Sequence, residues 1–155
     1  MKHRWRNVFD WVILCIFIIM FSLFVLVNNA NGSDTYKASF LSNYDGDTVT
    51  LMVNVFSVPP TYMKATVRVF GIDSPEIKGK CDEEKALALK ARKFVNEVLS
   101  SAKDIQIQVI GKGKYGRVIA IIYYDEQDLS STLIEQGYAR IYHNDKRGTW
   151  CGQDV

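Results

Sequence analysis

The sequence predicts one small domain of mainly β character with helices (α+β): a five-stranded closed barrel with flanking helices, preceded by an N-terminal hydrophobic segment. Three observations lead there. Five short stretches between residues 37 and 124 read as strands, separated by turns rich in Gly, Pro and Asp. One long stretch, 82–101, has helical spacing instead, and a near-continuous apolar run lies upstream of everything else. At 155 residues the chain has room for one domain with a proper core and not for two.

The upstream run extends from Trp11 to Val27, broken only by Cys15 and Ser22, with Lys2, Arg4 and Arg6 before it and polar residues 28–34 after it. A helix buried in a soluble domain would keep a polar face, and this one has none. It is therefore a membrane span or the apolar core of a signal peptide. Spanning takes about 17–25 apolar residues, and a cleavable core about 7–15. The one small residue near a cleavage position, Ala30, has Asn28 two places before it. That favours an uncleaved anchor at 11–28 in the lipid bilayer, a cytoplasmic basic flank at 1–10 and a linker at 29–35. Residues 36–155 are then exported, to the periplasm or the exterior, or are secreted if the segment is cleaved.

Within that domain, Lys37–Leu41 reads as the first strand. Asp47–Phe56 is the second, with Val49, Leu51, Val53 and Val55 on one face. Ser57–Pro60 is expected to be a loop, because neither proline can donate to a ladder. Ala65–Ile72 forms the third strand, followed by an irregular connection over 73–82. Asp82–Ser101 is the clearest helix: Leu87, Ala91, Phe94 and Val98 share one stripe, Asp82 is the expected N-cap, and acids fill the first turn. Asp104–Ile110 alternates as the fourth strand, and residues 111–116 make a turn. Val118–Tyr124 is apolar on both faces and so central. Ser130–Gln136 is a short helix ending at Gly137, which can take the left-handed conformation. Strands and helices in this order suit a barrel of the OB type.

Charge and cysteines narrow the chemistry less. The net +2 is contributed by Lys2, Arg4, Arg6 and Asp10 alone, so bases and acids balance from Trp11 onward. A polyanion partner must then be argued from local clusters: Lys112, Lys114 and Arg117, and Arg140, Lys146 and Arg147, opposed by Asp82, Glu83 and Glu84. Cys15 lies in the apolar run. Cys81 and Cys151 form an even pair in an oxidising compartment, so a disulfide is favoured over two free thiols. With His143 the one histidine nearby, a zinc site is disfavoured.

Four clusters carry possible chemistry. Asp45-Gly46-Asp47-Thr48 is by default a hairpin turn, with Asp47 surplus to it. Arg68 is followed five residues later by Asp73-Ser74-Pro75-Glu76, where Pro75 stiffens the chain and holds two carboxylates in a defined relation. With Asp47 they offer the hard oxygen ligands that calcium prefers. Arg68 and Asp73 have opposite strand parity, so both serve one site only if the strand bends, and Gly71 is placed for that. Lys114-Tyr115-Gly116-Arg117 is a basic turn, and Tyr138, Tyr142 and His143 sit near the barrel edge.

Taken together, these clusters resemble the staphylococcal nuclease (thermonuclease) family in order and spacing, from about Tyr44 to Tyr142. The resemblance implies a calcium-dependent, sugar-nonspecific nuclease acting on DNA and RNA. It implies Asp47, Asp73 and the Ser74 carbonyl as calcium ligands, Glu76 as general base, and Arg68 and Arg117 on the scissile phosphate. It also matches Lys114 and Tyr115 to residues at a terminal phosphate and Tyr142 to a stacking tyrosine. Gly113 stands where some members carry an acid, and no third helix is expected after Trp150. A disulfide from Cys151 to Cys81 would secure the tail in that helix's place. The domain is expected to act as a monomer without a protein partner. A non-catalytic nucleic-acid-binding module at the cell envelope is the alternative.

Overall fold

The computed structural model describes Ile13, Cys15, Ile16, Met20, residues 35–143 and residues 147–152. The chain divides into two compact units, 1–33 and 34–155. In the first, Ile13, Cys15, Ile16 and Met20 are helical and exposed. The rest of the expected segment 11–28, its basic flank and the linker up to residue 34 lie outside the described residues. Among the described residues no helix is long and apolar enough to cross a membrane.

The second unit is a closed barrel. Its strands are β1 (Thr35–Asn43), β2 (Thr48–Ser57), β3 (Pro60–Val69), β5 (Ile105–Lys112) and β6 (Val118–Tyr124), with two-residue strands β4 (Ile72–Asp73), β7 (Gln127–Asp128) and β8 (Arg140–Ile141). The sheet runs β3-β2-β1-β5-β6-β7, and a parallel pairing of β3 with β6 closes it, Val67 opposite Val118. Register shifts at 40/42 on β1, 54/56 on β2 and 109/111 on β5 bend the strands into the closed form. β6 is paired with β5, β3 and β7, turns Ala120, Ile122 and Tyr124 into the core, and has the 129–135 helix packed against it, which suits a strand that is apolar on both faces.

The alternating residues meet inside. Val49, Leu51, Val53, Val67, Ile107 and Ile122 are buried, each contributing roughly 1.5–3 kcal/mol of transfer free energy. Helix α1 (Asp82–Ser101) covers one end with Leu87, Ala88, Ala91, Val95 and Leu99 on its buried face. Helix α2 (Leu129–Glu135) adds Leu129 and Leu133. Its start is capped by the Asp128 carboxylate, which accepts from the Ser130 amide at 2.7 Å, and Gly137 follows with φ +71°.

Three local expectations are corrected. The N-cap of α1 is Cys81, in extended geometry and without a side-chain cap; Asp82 is already helical. Cys81 is committed to a disulfide, and the acids of the first turn complement the helix dipole in place of a cap. Ser57 and Pro60 are strand residues paired with each other, so the loop is Val58-Pro59 alone, joined by a cis peptide bond. A strand tolerates Pro60 because it stands at the first position. β3 consequently starts five residues before the expected Ala65. Its Thr61–Lys64 portion pairs with β2 beyond the core, exposed, where burial writes no alternation.

Candidate functional site

The site is built where β2, β3 and β4 converge under the N-terminal half of α1. Tyr44 to Asp47 link β1 to β2, closed by the Tyr44 amide donating to the Thr48 carbonyl at 2.9 Å. Asn43 pins this loop to the helix, its Nδ2 donating to the carbonyls of Asp45 (3.0 Å) and Arg92 (2.9 Å). The Asp45 carboxylate accepts from the amides of Asp47 (3.1 Å) and Thr48 (2.8 Å). Gly46 is required for space: a Cβ there would lie 3.0 Å from that of Ser74 and 3.1 Å from that of Ala91. This differs from the hairpin expectation, in which glycine supplies a positive φ.

That loop delivers Asp47 into the interior, where it is 1% exposed. Its Oδ1 accepts from Arg68 Nη1 at 2.7 Å and from the Thr48 hydroxyl at 3.1 Å; its Oδ2 accepts from the Ser74 amide at 3.1 Å. Arg68 stands across the ladder from Thr48 on β3. After Val69 the chain turns at Gly71, φ +77°, and β4 starts. The turn resolves the parity problem, because Arg68 Nη2 comes within 3.6 Å of Asp73 Oδ1. One guanidinium therefore faces two buried carboxylates.

Burial and mutual repulsion shape the titration of this cluster. Burial holds the Asp45 carboxyl up at about 6, reinforced by the Asp47 charge and opposed by its two backbone hydrogen bonds. Burial also raises Asp47, more than the adjacent Arg68 lowers it. Asp73 Oδ1 is buried and accepts no aligned hydrogen bond, although Arg147 Nε lies 2.9 Å away, and the Ser74 hydroxyl is buried without a partner. Asp73, with an oxygen that accepts no hydrogen bond, and the adjacent Asp47 offer the hard oxygens that fit a divalent cation.

Glu76 lies on the rim, half-exposed, and forms an ion pair with Nη1 of Arg147. Its loop is shaped by Glu84 of α1, buried, whose carboxylate accepts from the Lys80 amide at 2.8 Å and more weakly from the Glu76 amide at 3.4 Å. Gly79 packs against that side chain, and a Cβ there would come 2.6 Å from it. Cys81 is bonded to Cys151, which brings residues 147–152 over this loop. Asp73, Ser74, Glu76, Lys78, Arg147 and Trp150 line a cavity of about 300 Å³.

The basic turn joins β5 to β6, and Val118, the residue after Arg117, pairs with Val67 beside Arg68 on β3. Lys114–Gly116 form a single 3-10 turn, with Tyr115 at φ +61° and almost wholly exposed. Arg117 donates from Nε to the Lys114 carbonyl at 3.4 Å, within its own turn. Thus Asp47, Arg68, Asp73, Ser74 and Glu76 share one locality, whereas the described hydrogen bonds of Lys114 and Arg117 stay within residues 113–117. Tyr142 joins the first group through its backbone, its amide donating to the Gly71 carbonyl at 2.8 Å. Arg68, Ile110, Lys112, Ile119, Tyr142 and His143 line a second cavity, of about 510 Å³, so Arg68 connects the carboxylates to a basic and aromatic hollow.

Asp45, Glu84 and Arg147 belong to this locality without having been singled out for it. In the sequence Asp45 reads as a turn residue, Glu84 as part of an acidic patch and Arg147 as one of the basic cluster Arg140, Lys146 and Arg147; its place four residues before Cys151 is what links it to the Cys81 loop.

The profile of the staphylococcal nuclease homologue family matches residues 66–150, more than half of the chain. Among curated proteins, the chain is 33% identical over 101 residues to Endonuclease YncB of Bacillus subtilis, covering 63% of this chain and 44% of that one. It is 28% identical over 98 residues to an uncharacterized endonuclease of Haemophilus influenzae, covering 63% and 48%. To the SPbeta prophage-derived endonuclease YokF of Bacillus subtilis it is 33% identical over 121 residues, covering 76% and 33%. The chain thus matches between a third and about half of the length of these relatives.

Proposed function

The chain belongs to the staphylococcal nuclease family, and we propose that it is a calcium-dependent, sugar-nonspecific nuclease that hydrolyses phosphodiester bonds in DNA and RNA. The observation that carries this reading is the buried set Asp47, Arg68 and Asp73 with Glu76 at its rim. Asp47, Asp73 and the Ser74 carbonyl would hold the calcium ion, which supplies positive charge against the oxygens of the reacting phosphate and acidifies a bound water.

The chain's own groups do the rest. Glu76, on the solvent side of the carboxylates, accepts the proton of the attacking water. Arg68 faces Asp47 and Asp73 from the side of β3 opposite the core residues Val67 and Val69 and also lines the larger cavity, so its guanidinium can donate to a phosphate entering from there. The second guanidinium is Arg117, which reaches the phosphate from the β5–β6 turn as substrate docks. A phosphodiester gathers charge on its oxygens as it is attacked, and the preorganised Arg68, joined by Arg117 on docking, stabilises that charge more than the ground state. Lys114 and Tyr115 take the terminal phosphate, and Tyr142 offers a ring for stacking next to Arg68.

The domain at 36–155 works outside the cytoplasm as a monomer, tethered by the segment at 11–28 with its N-terminus inside. The Cys81–Cys151 disulfide supports export, since such bonds persist in oxidising compartments. The purified 155-residue chain should nick plasmid and degrade RNA with calcium, and stop when the ion is chelated. Glu76→Gln should lower the rate by orders of magnitude, about 10²–10⁴ for a lost general base, while DNA retention is preserved. Wild type and Glu76→Gln equally inert, yet both retarding DNA, would establish a binding module instead.

A further inference from the structure

The proposed reaction gives no task to Arg147, yet Arg147 contacts both Asp73 and Glu76. Its Nε lies 2.9 Å from Asp73 Oδ1, and its Nη1 is bonded to Glu76 Oε1. One guanidinium thus bridges the expected cation ligand and the expected base. The contact is built by the surrounding tail. Cys151 is bonded to Cys81 at the start of α1, and Arg140 Nη2 donates to the Thr149 carbonyl at 2.8 Å. The Arg140 guanidinium also lies 3.5 Å above the Trp150 ring, a cation–π contact. Arg140 itself pairs with Asp73 through β4 and β8. The tail is therefore held on the strand that carries Asp73 and on the helix that follows Glu76.

Two arginines crowd these acids, and they differ in freedom. The Arg68 side chain is 16% exposed and locked between buried carboxylates; that of Arg147 is 42% exposed at the rim. A divalent ion entering at Asp73 repels both, and the exposed one can retreat into water at far smaller desolvation cost. We propose that Arg147 is a further positioning residue of the site, a tail-borne guanidinium that holds Asp73 and Glu76 in the cation-free protein and competes with the divalent cation for Asp73. This rests on the cation-site reading of the same carboxylates. With a divalent cation held at Asp73, Arg147 would withdraw and leave Glu76 free to act as a base. The disulfide keeps Arg147 close enough to return when the ion leaves.

The test is calcium binding without substrate, by isothermal titration of the purified 155-residue chain with calcium chloride. Arg147→Ala should bind calcium about three- to tenfold more tightly, the scale of a half-exposed charge contact. Arg147→Lys, which keeps the charge but loses the fork across two carboxylates, should fall between them. The paired variant Cys81→Ser with Cys151→Ser, which frees the tail, should shift affinity in the same direction as Arg147→Ala. In chelator, Arg147→Ala should also melt lower than wild type, because two carboxylates lose their shared counter-ion. Unchanged or weaker calcium binding by a folded Arg147→Ala, with nuclease activity of the wild type intact, overturns the competition and leaves the nuclease reading standing. Absence of calcium binding by wild type and by both Arg147 variants overturns the two together.

Discussion

Replacing Arg68 by methionine isolates the most consequential contact in the site. Methionine keeps much of the apolar stem and removes the guanidinium, so the Asp47 carboxylate, 2% exposed, loses its 2.7 Å partner. Breaking a buried pair by deleting one member costs about 3–5 kcal/mol, because the remaining charge is left in a poorly solvating interior. Against a total stability of about 5–15 kcal/mol for a domain of this size, such a loss shifts the urea midpoint substantially. The loss should depend on pH in a defined direction. Burial already raises the Asp47 pKa, and removing Arg68 takes away the largest opposing influence. The folded variant then holds a proton that the unfolded chain releases, so its deficit is largest above the raised folded pKa and shrinks on acidification. Calcium should restore part of the stability at neutral pH by supplying positive charge at the same carboxylates. Urea unfolding in chelator at pH 5 and pH 8, and again with calcium at pH 8, measures all three effects. A loss below about 1 kcal/mol at pH 8 in chelator, or a loss that grows on acidification, would refute the reasoning.

Other perturbations test separate parts of the structure. Asp45 keeps its proton up to about pH 6 when folded against an ordinary 3.8, so the cation-free fold loses stability as pH rises across that window. Asp45→Asn keeps the acceptor for the Asp47 and Thr48 amides without the charge. It should raise stability in chelator by about 1–3 kcal/mol at pH 7.5 and by little near pH 4, measured by urea unfolding. Glu84→Ala strips the acceptor from the Lys80 and Glu76 amides at a cost of about 1–3 kcal/mol. Faster hydrogen exchange at Lys80 and a lower kcat, with little change in KM, are the expected readouts. The Cys81–Cys151 bridge spans 70 residues of sequence, so replacing both cysteines by serine should cost about 2–4 kcal/mol in urea unfolding.

What could be read in advance was whatever leaves a local trace. Helix 82–101 and strand 118–124 have the same bounds in sequence pattern and in structure, the helix because its buried stripe recurs at helical spacing and the strand because a short unbroken apolar run marks it. Gly71 was identifiable as the bend between Arg68 and Asp73 because their parity demanded one. Where burial ends, the trace ends as well. Thr61–Lys64 pair with β2 while exposed, and no alternation announced them.

The sequence by itself determined the barrel class, the long helix, and the order of Asp47, Arg68, Asp73 and Glu76 that places the chain beside a nuclease family. Only the tertiary structure decided which charges meet. It brought one arginine between two buried carboxylates, made Gly46 a matter of clearance against Ser74 and Ala91, and used Glu84 to shape the loop of Glu76. It also laid Arg147 across acids 71 and 74 positions earlier in the chain. The physical reason is that side-chain period reports which face of an element leaves water. The pairing of buried charges depends on how separate elements close over one another, and the sequence of a single element does not carry that information.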